Sequence, residues 1–419
     1  MKRSICTLLF SGISVFVIAQ EVGKPLPSWK EGMLDIHHIN TGRGDAAFLV
    51  LPDASTMVVD AGEMSDDNPR TLSERNTPRY PNNKKLPFEW IGDYIRQFGP
   101  GKTNSEIDYT IITHFHGDHF GQTNSYSPFE KAGGYQQVGI AGLGTILKFK
   151  KLIAREHPAM SEGNLQSTTT TQQPNVVRPE PNSSIKNLVS FMDFQKGKSG
   201  ITFEKMQAGK LDQMRLKEPA KYPGFHIRNI YSNGFAWTGE GENSFDMKAR
   251  GENDLSLGFR VSYGAFDYFT GGDISGVGPY GESTVNGVEA NVAPVIGPVD
   301  VATLNHHGNR DSQSPYYVRT IRPRVWIGQT WSSDHPGDDV LRRITSKELY
   351  PGDRDLFTTS MLRANKLVIG ERIDQVYGSQ QGHILVRVAQ GGATYQVIIL
   401  EDSDEERKVK AVFGPYKSR

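Results

Sequence analysis

The fold of this 419-residue chain is decided by residues 107–122, which read IDYTIITHFHGDHFGQ. Apolar and polar residues alternate up to Ile111, the pattern of a strand that is buried on at least one face. Gly117 then allows a tight turn, after which a helix can begin. Four metal-binding side chains lie within six positions: His114, His116, Asp118 and His119. Imidazole and carboxylate groups at this density predict a site for zinc or a similar divalent ion, and two cations can share such a cluster.

The H-x-H-x-D-H motif resembles that of the metallo-β-lactamase superfamily. Residues 42–45 add a G-x-G-D turn, and the next predicted strand ends in Asp60, Ala61 and Gly62. This combination is similar to the hydrolase domain of DNA-uptake competence channels and to the phosphorylcholine esterases of teichoic acid. The resemblance implies an α/β fold built as a four-layer αββα sandwich, in which helices flank two packed sheets. It also implies that Asp60 supports the ligand loop by orienting a histidine, with an ordinary turn aspartate as the alternative.

The same resemblance implies ligands later in the chain. Asp273 follows a hairpin predicted at 257–269 and matches an aspartate that bridges two metals. An unpaired carboxylate at a buried strand end is costly without a cation, which favours this assignment. Of the histidine pair after the predicted strand at 300–304, His307 is expected to bind the second metal and His306 to face the substrate, and the sequence leaves the reverse assignment open.

The complete expected site therefore has two parts that share Asp273. His114 and His116 would hold the first cation, and Asp118, His119 and His307 the second. Asp118 and His306 are the residues expected to take part in catalysis. Zinc is the expected cofactor, as two ions, with manganese as the alternative.

One usual ligand of the superfamily is missing from this chain. Most members supply a third histidine to the first metal just before the bridging aspartate, but residues 251–256 read GENDLS. The branch that the chain resembles commonly has asparagine here, which leaves the first cation with His114, His116, Asp273 and solvent. Fewer nitrogen ligands weaken the affinity of a site for zinc, so the occupancy of the first site and the identity of its metal stay open.

The length alone allows two or three domains, but one hydrolase domain is predicted for residues 33–402. It carries an insertion at about 122–251, where the resemblance is weakest and where we expect the substrate to be selected. Within this insertion, residues 142–156 are predicted to form a helix. Residues 20–32 form a leader and residues 403–419 a C-terminal tail.

The N-terminus predicts export of the protein. Lys2 and Arg3 precede an apolar run at 5–18, followed by a cleavage point before Gln20, so residues 1–19 are expected to be a secretory signal peptide. The run is too short to favour a membrane anchor, since a span needs about 20 apolar residues. The only cysteine, Cys6, lies inside this signal, so no disulfide is expected. The cleaved protein is expected to be secreted or periplasmic, without an anchor.

Charge and motifs together lead to a functional hypothesis. The formal net charge is +0, which gives no signal for nucleic acid or for an anionic membrane. The expected function is an exported metal-dependent hydrolase that cleaves an ester, above all a phosphodiester, with a metal-activated water. Its substrate would be a small molecule or part of the cell envelope. The alternatives are a binding module on the same fold with little or no catalysis, and a hydrolase of lactones or β-lactams. The oligomeric state is not predicted.

Overall fold

The computed structural model describes residues 20–101, 106–161, 182–249, 251–278, 281–282 and 287–419. The predicted signal peptide lies outside these ranges. In the described part, no helix is both long enough and apolar enough to cross a membrane.

Strands and helices alternate along most of the described chain. The strands are β1 (Leu34–His38), β2 (Ala46–Val50), β3 (Thr56–Ala61), β4 (Glu106–Ile112), β5 (Phe129–Glu130), β6 (Tyr135–Gln136), β7 (Lys148–Ala154), β8 (Thr202–Lys205), β9 (Phe225–Ser232), β10 (Phe235–Trp237), β11 (Ser244–Asp246), β12 (Leu257–Tyr263), β13 (Phe266–Thr270), β14 (Val301–Thr303), β15 (Val325–Gly328), β16 (Asp355–Thr358), β17 (Tyr377–Ser379), β18 (His383–Val388), β19 (Thr394–Leu400) and β20 (Val409–Lys417). The helices are α1 (Pro87–Phe98), α2 (Gly117–Phe120), α3 (Gly139–Ile146), α4 (Pro158–Ser161), α5 (Asn182–Ser199), α6 (Val288–Ile296), α7 (Pro315–Ile321), α8 (Asp338–Thr345), α9 (Arg363–Ile369) and α10 (Arg372–Val376).

Two nine-stranded sheets form the centre of the molecule. The first has the strand order β20-β19-β18-β1-β2-β3-β4-β7-β8, and the second has the order β11-β10-β9-β12-β13-β14-β15-β16-β17. Leu49 and Ile111 of the first sheet share one buried core with Phe259 and Val301 of the second, so the sheets pack face to face. Helices α1, α3 and α5 cover the outer face of the first sheet, and α6, α7 and α8 cover the second. The predicted four-layer αββα sandwich is confirmed.

The ligand-bearing strand β4 lies inside the first sheet. It pairs in parallel with β3 on one side and with β7 on the other. Ile111 points into the core between the sheets and Ile112 into the core under the helices, so the strand is buried on both faces, as expected of a central parallel strand. Its carboxyl end delivers the H-x-H-x-D-H loop at one edge of the sandwich.

The second sheet delivers its own polar residues to the same edge. Strands β13 and β14 are parallel neighbours, and Asp273 and the pair His306–His307 follow their carboxyl ends. A backbone hydrogen bond of 3.0 Å from Leu257 N to Thr113 O joins the start of β12 to the end of β4. The strand ends that carry these polar residues in the two sheets therefore lie next to each other at one edge of the sandwich.

The prediction of one helix over residues 142–156 is wrong. Helix α3 ends at Ile146, and β7 follows it as a strand of the first sheet. Lys148 and Lys150 alternate with the buried Phe149, which is the two-residue period of a strand. The two ammonium groups lie 2.9 Å from Glu106 and 3.0 Å from Asp108 respectively, across the pairing with β4.

Two further segments differ from their expected form. The segment at 122–251, expected as an insertion, contributes β7 and β8 to the first sheet and β9, β10 and β11 to the second. The tail expected at 403–419 contains β20, an edge strand that pairs antiparallel with β19. The side chain of Val409 is buried in the core under the helices, so the first sheet extends beyond residue 402.

Candidate metal centre

Asp60 lies directly beneath the ligand loop. Its Oδ1 accepts a hydrogen bond from Thr113 N at 2.8 Å, and its Oδ2 accepts one from Thr113 Oγ1 at 2.6 Å. The same Oδ2 lies 2.8 Å from His119 Nδ1. Because an ionised carboxylate only accepts hydrogen bonds, this contact places a proton on Nδ1 and makes Nε2 the nitrogen available to a cation. The Nε2 atom is buried and makes no hydrogen bond, as a metal ligand requires. Asp60 thus makes the supporting contact that the resemblance implied.

A second carboxylate orients His307 in the same way. His307 Nδ1 lies 2.9 Å from Asp45 Oδ1 and 3.1 Å from Gln329 O. Its Nε2 is buried without a hydrogen bond, 3.2 Å from Asp118 Oδ2 and 3.5 Å from Asp273 Oδ2. Asp45 is the aspartate of the G-x-G-D turn. The sequence drew attention to the turn but did not predict the role of its carboxylate.

Two glycines let the backbone approach Asp118 closely. Asp45 N donates a hydrogen bond of 2.8 Å to Asp118 O. A Cβ atom at Gly44 would lie 2.2 Å from that carbonyl oxygen, and one at Gly62 would lie 1.9 Å from it. Real Cβ atoms do not come so near an oxygen, so any side chain at either position would push the two loops apart. The glycines of both predicted turn motifs are therefore required by the packing beneath the ligand loop.

The structure brings all six predicted metal ligands together in two groups. One ligand atom from each of Asp118, His119, Asp273 and His307 lies within 4.8 Å of the others. The same limit holds for His114, His116 and Asp273. Asp273 belongs to both groups, so its carboxylate lies between the two sets of side chains.

The protonation states in this cluster fit a cation site. Burial opposes ionisation of Asp273, but the charges on His119 and His307 hold its pKa well below the usual range, so the carboxylate is ionised, the form that a cation requires. Burial lowers the pKa of His114 far enough to keep that imidazole neutral. His119 and His307 have a raised pKa because nearby carboxylates outweigh their burial. A divalent cation would displace those protons, and this set of imidazole and carboxylate donors suits zinc.

His306 faces the same cluster from a different side. Its Nδ1 lies 2.8 Å from Asp311 Oδ1, and its Nε2 lies 3.2 Å from Asn253 Nδ2 and 3.8 Å from Asp273 Oδ2. Its side chain is 17% exposed, whereas that of His307 is 1% exposed. Both histidines have a positive φ, 47° and 55°, a conformation that is strained for residues other than glycine. This backbone sends one ring into the cluster and the other toward its open side.

Aromatic rings close the cluster behind His307. The ring of His335 stacks on that of His307 with centroids 4.7 Å apart, and Trp331 meets both rings edge-on. Burial, and next the neighbouring charge of His307, lower the pKa of His335 to about 3, so the imidazole is neutral. These two residues form an uncharged wall on one side of the second ligand group.

Comparison with known proteins finds little similarity in sequence. No family model and no curated protein matches the chain. Among solved structures, it is similar to unliganded yeast PDE1 (10% identity, 84% of this chain and 98% of that chain, TM-score 0.33). It is also similar to Zn²⁺-bound PqqB from Methylobacterium extorquens (12% identity, 70% and 88%, TM-score 0.31). A third similar structure is that of a protein of unknown function from Enterococcus faecalis V583 (7% identity, 78% of this chain and 70% of that chain, TM-score 0.30).

At these TM-scores the assignment depends on the chain's own features. The αββα sandwich and the His/Asp cluster at its edge support the metallo-β-lactamase superfamily, which the sequence motif resembles. The same features support a metal-dependent hydrolase.

Proposed function

We propose that this protein is an exported hydrolase that cleaves phosphodiesters with two bound zinc ions. The observation that carries the proposal is the pair of ligand groups that share Asp273. Asp273 would hold both cations together with the other residues of the two groups, and a pair of cations would supply the charge that stabilises the attacking and leaving oxygens of a phosphoryl group. When bound, such cations also supply a nucleophilic water at neutral pH, because a divalent ion lowers the pKa of its water to about 7.

The chain's own residues orient the ligands and the substrate. Asp60 and Asp45 fix the rings of His119 and His307, so that both Nε2 atoms point into the cluster. His306, fixed by Asp311, borders the open side, where its protonated ring would donate a hydrogen bond from Nε2 to an oxygen of the substrate. Loss of one such donor in other enzymes lowers kcat by about 10²–10³. In this proposal His307 binds the metal and His306 contacts the substrate.

The choice of a phosphodiester depends on the sequence motifs. The G-x-G-D turn and the His306–His307 pair resemble the branch that includes the phosphorylcholine esterases of teichoic acid and the hydrolase domain of competence channels. The predicted signal peptide would bring the enzyme to the periplasm or outside the cell. A substrate in the cell envelope, or a small ester in the same compartment, is consistent with that location.

The first experiment measures metal content and turnover together. The purified wild-type protein should contain about two zinc ions per chain by elemental analysis and hydrolyse bis-p-nitrophenyl phosphate with zinc or manganese. His116→Ala should lose metal from the first group and most of its activity. His226→Ala is the matched control, since His226 lies on β9 and belongs to neither ligand group. Undiminished metal in His116→Ala would refute the assignment of the first site.

One observation favours a second candidate, a metal- or ligand-binding module with little catalysis. Asn253 stands in the connection where most members of the superfamily have a third histidine, so the first group has only two imidazoles. A metal-loaded protein that turned over no phosphodiester, lactone or β-lactam would favour this candidate. Hydrolysis of a lactone or β-lactam alone would change the proposed substrate and keep the metal centre.

A further inference from the structure

A buried ion pair fastens the connection that lacks the third histidine to the ligand loop. Glu252 Oε1 accepts a hydrogen bond of 2.8 Å from Phe115 N, the backbone amide between the ligands His114 and His116. Arg155 donates to both oxygens of the same carboxylate, from Nε to Oε1 at 2.9 Å and from Nη2 to Oε2 at 2.8 Å. One carboxylate therefore holds the backbone between the two histidines of the first group.

The arginine is itself held firmly in place. Its side chain is 2% exposed, and its Nη1 also donates to Glu156 Oε1 at 2.6 Å and to Asn233 Oδ1 at 3.1 Å. The guanidinium lies 4.8 Å from the centre of the Phe115 ring. A buried ion pair contributes little net stability compared with apolar residues of the same volume, but its fork of hydrogen bonds strongly restricts geometry. This favours a role for the Arg155–Glu252 pair in fixing the position of the backbone at Phe115.

The same short segment also reaches the second histidine pair. Asn253 follows Glu252 directly, and its Nδ2 lies 3.2 Å from His306 Nε2. Its Oδ1 is buried and makes no hydrogen bond. The backbone of residues 252 and 253 thus spans from the ligand loop of the first sheet to His306 of the second. Where a third histidine would tie this connection to the metal, Glu252 ties it to the loop that carries the ligands.

We propose that Glu252 and Arg155 are positioning residues of the first cation site. They hold the backbone of Phe115 against the connection, and thereby set the separation of His114 and His116 from Asp273. This inference rests on the proposed metal centre. It explains how a site with two histidines keeps a defined geometry without the third. Such supporting contacts typically change metal affinity by about 10–100-fold when they are removed.

The test titrates the metal-free protein with Co²⁺, whose visible absorption reports the coordination of each site. The variant Glu252→Gln keeps the side-chain volume and one acceptor oxygen, but it loses the charge and the two-pronged contact with Arg155. We expect wild type to show two binding steps. In Glu252→Gln, one step should weaken by about 10–100-fold with a changed spectrum, and the other should be unaffected.

A matched buried pair provides the control. Arg387 donates to both oxygens of Asp35, at 2.9 Å and 2.6 Å, between β1 and β18, and Asp35 belongs to neither ligand group. Asp35→Asn should lower the thermal stability of the metal-free protein, and leave both Co²⁺ steps and the spectrum as in wild type. If Glu252→Gln does not fold, Arg155→Lys keeps the charge with fewer donors and should weaken the same step.

The outcomes separate the inference from the proposed function. A wild-type protein that binds no Co²⁺ would refute the metal centre itself. Two normal steps in wild type, with an unchanged spectrum and unchanged affinities in Glu252→Gln and Arg155→Lys, would overturn the positioning role alone. An equal change in Asp35→Asn would show that the effect reports general destabilisation, which would also overturn it.

Discussion

Replacing Asp60 with asparagine should weaken the second cation site, because it favours the proton of His119 on Nε2 instead of Nδ1. Asp60 is 2% exposed, and its two oxygens accept bonds from Thr113 N, Thr113 Oγ1 and His119 Nδ1. In Asp60→Asn, Oδ1 can still accept from Thr113 N, but an NH₂ group now faces Nδ1. Toward this NH₂ group His119 Nδ1 can only accept, which favours the tautomer with its proton on Nε2, the atom that points at the cation.

The size of the effect follows from the bonds that are lost. A hydrogen bond to a charged group contributes about 1.5–3 kcal/mol, and removal of a carboxylate behind a metal-binding histidine costs about 10–100-fold in metal affinity. We expect a zinc titration against a competing chelator to show a loss in that range for one of the two ions. The kcat for a phosphodiester at saturating zinc should also fall.

Asp402→Asn is the control for this substitution. Asp402 is another buried carboxylate, 2.6 Å from Asn40 Nδ2, and it belongs to neither ligand group. It should change the thermal stability of the metal-free protein and leave zinc affinity unaltered. If Asp60→Asn binds both ions as tightly as wild type, the proposed orientation of His119 is wrong.

Three further predictions address the other residues of the site and its surroundings. His306→Ala should keep both metals and lose about 10²–10³ in kcat, whereas His307→Ala should lose metal; the opposite result in elemental analysis would reverse the two roles. Asp311→Asn should lower kcat with the metal content unchanged, because it frees the His306 ring to rotate, and a loss of metal would contradict this. Burial raises the pKa of Glu289 from 4.5 to about 7 against its hydrogen bonds. The folded protein then binds the extra proton between these pH values, so this residue should reduce stability by about 3 kcal/mol as pH rises from about 4.5 to 7. In urea unfolding of the metal-free protein, Glu289→Gln should not show this fall in stability with pH. An identical pH dependence of stability in wild type and variant would refute the role of Glu289.

The sequence predicted those features that are encoded locally. In β4, burial, turn and ligands all lie within residues 107–122, so one stretch of chain was sufficient. Asp273 and His307 were harder, because nothing in their immediate neighbours separates a ligand from a turn residue. They were predicted because the resemblance fixes the order of motifs, and the structure then places their ligand atoms beside those of His119.

The supporting residues could not be predicted because their partners are distant in the sequence. Asp45 contacts His307 across 262 positions, and Glu252 contacts Phe115 across 137. No local period reports such contacts. The error at β7 has a different cause: Lys148 and Lys150 stand beside a genuine helix, and a short amphipathic run does not distinguish a period of two from one of 3.6.

Because the candidate ligands are divided between the two sheets, a bound cation would connect the sheets to each other. His114, His116, Asp118 and His119 follow a strand of the first sheet, whereas Asp273 and His307 follow strands of the second. Each ion would therefore act as a cross-link between halves of the molecule that are far apart along the chain. Closing so long a loop costs conformational entropy. Because the cations would bind the folded chain and not the unfolded one, the free energy of metal binding would add to the stability of the fold. The metals would thus hold the two sheets together at the edge of the sandwich where the two ligand groups lie.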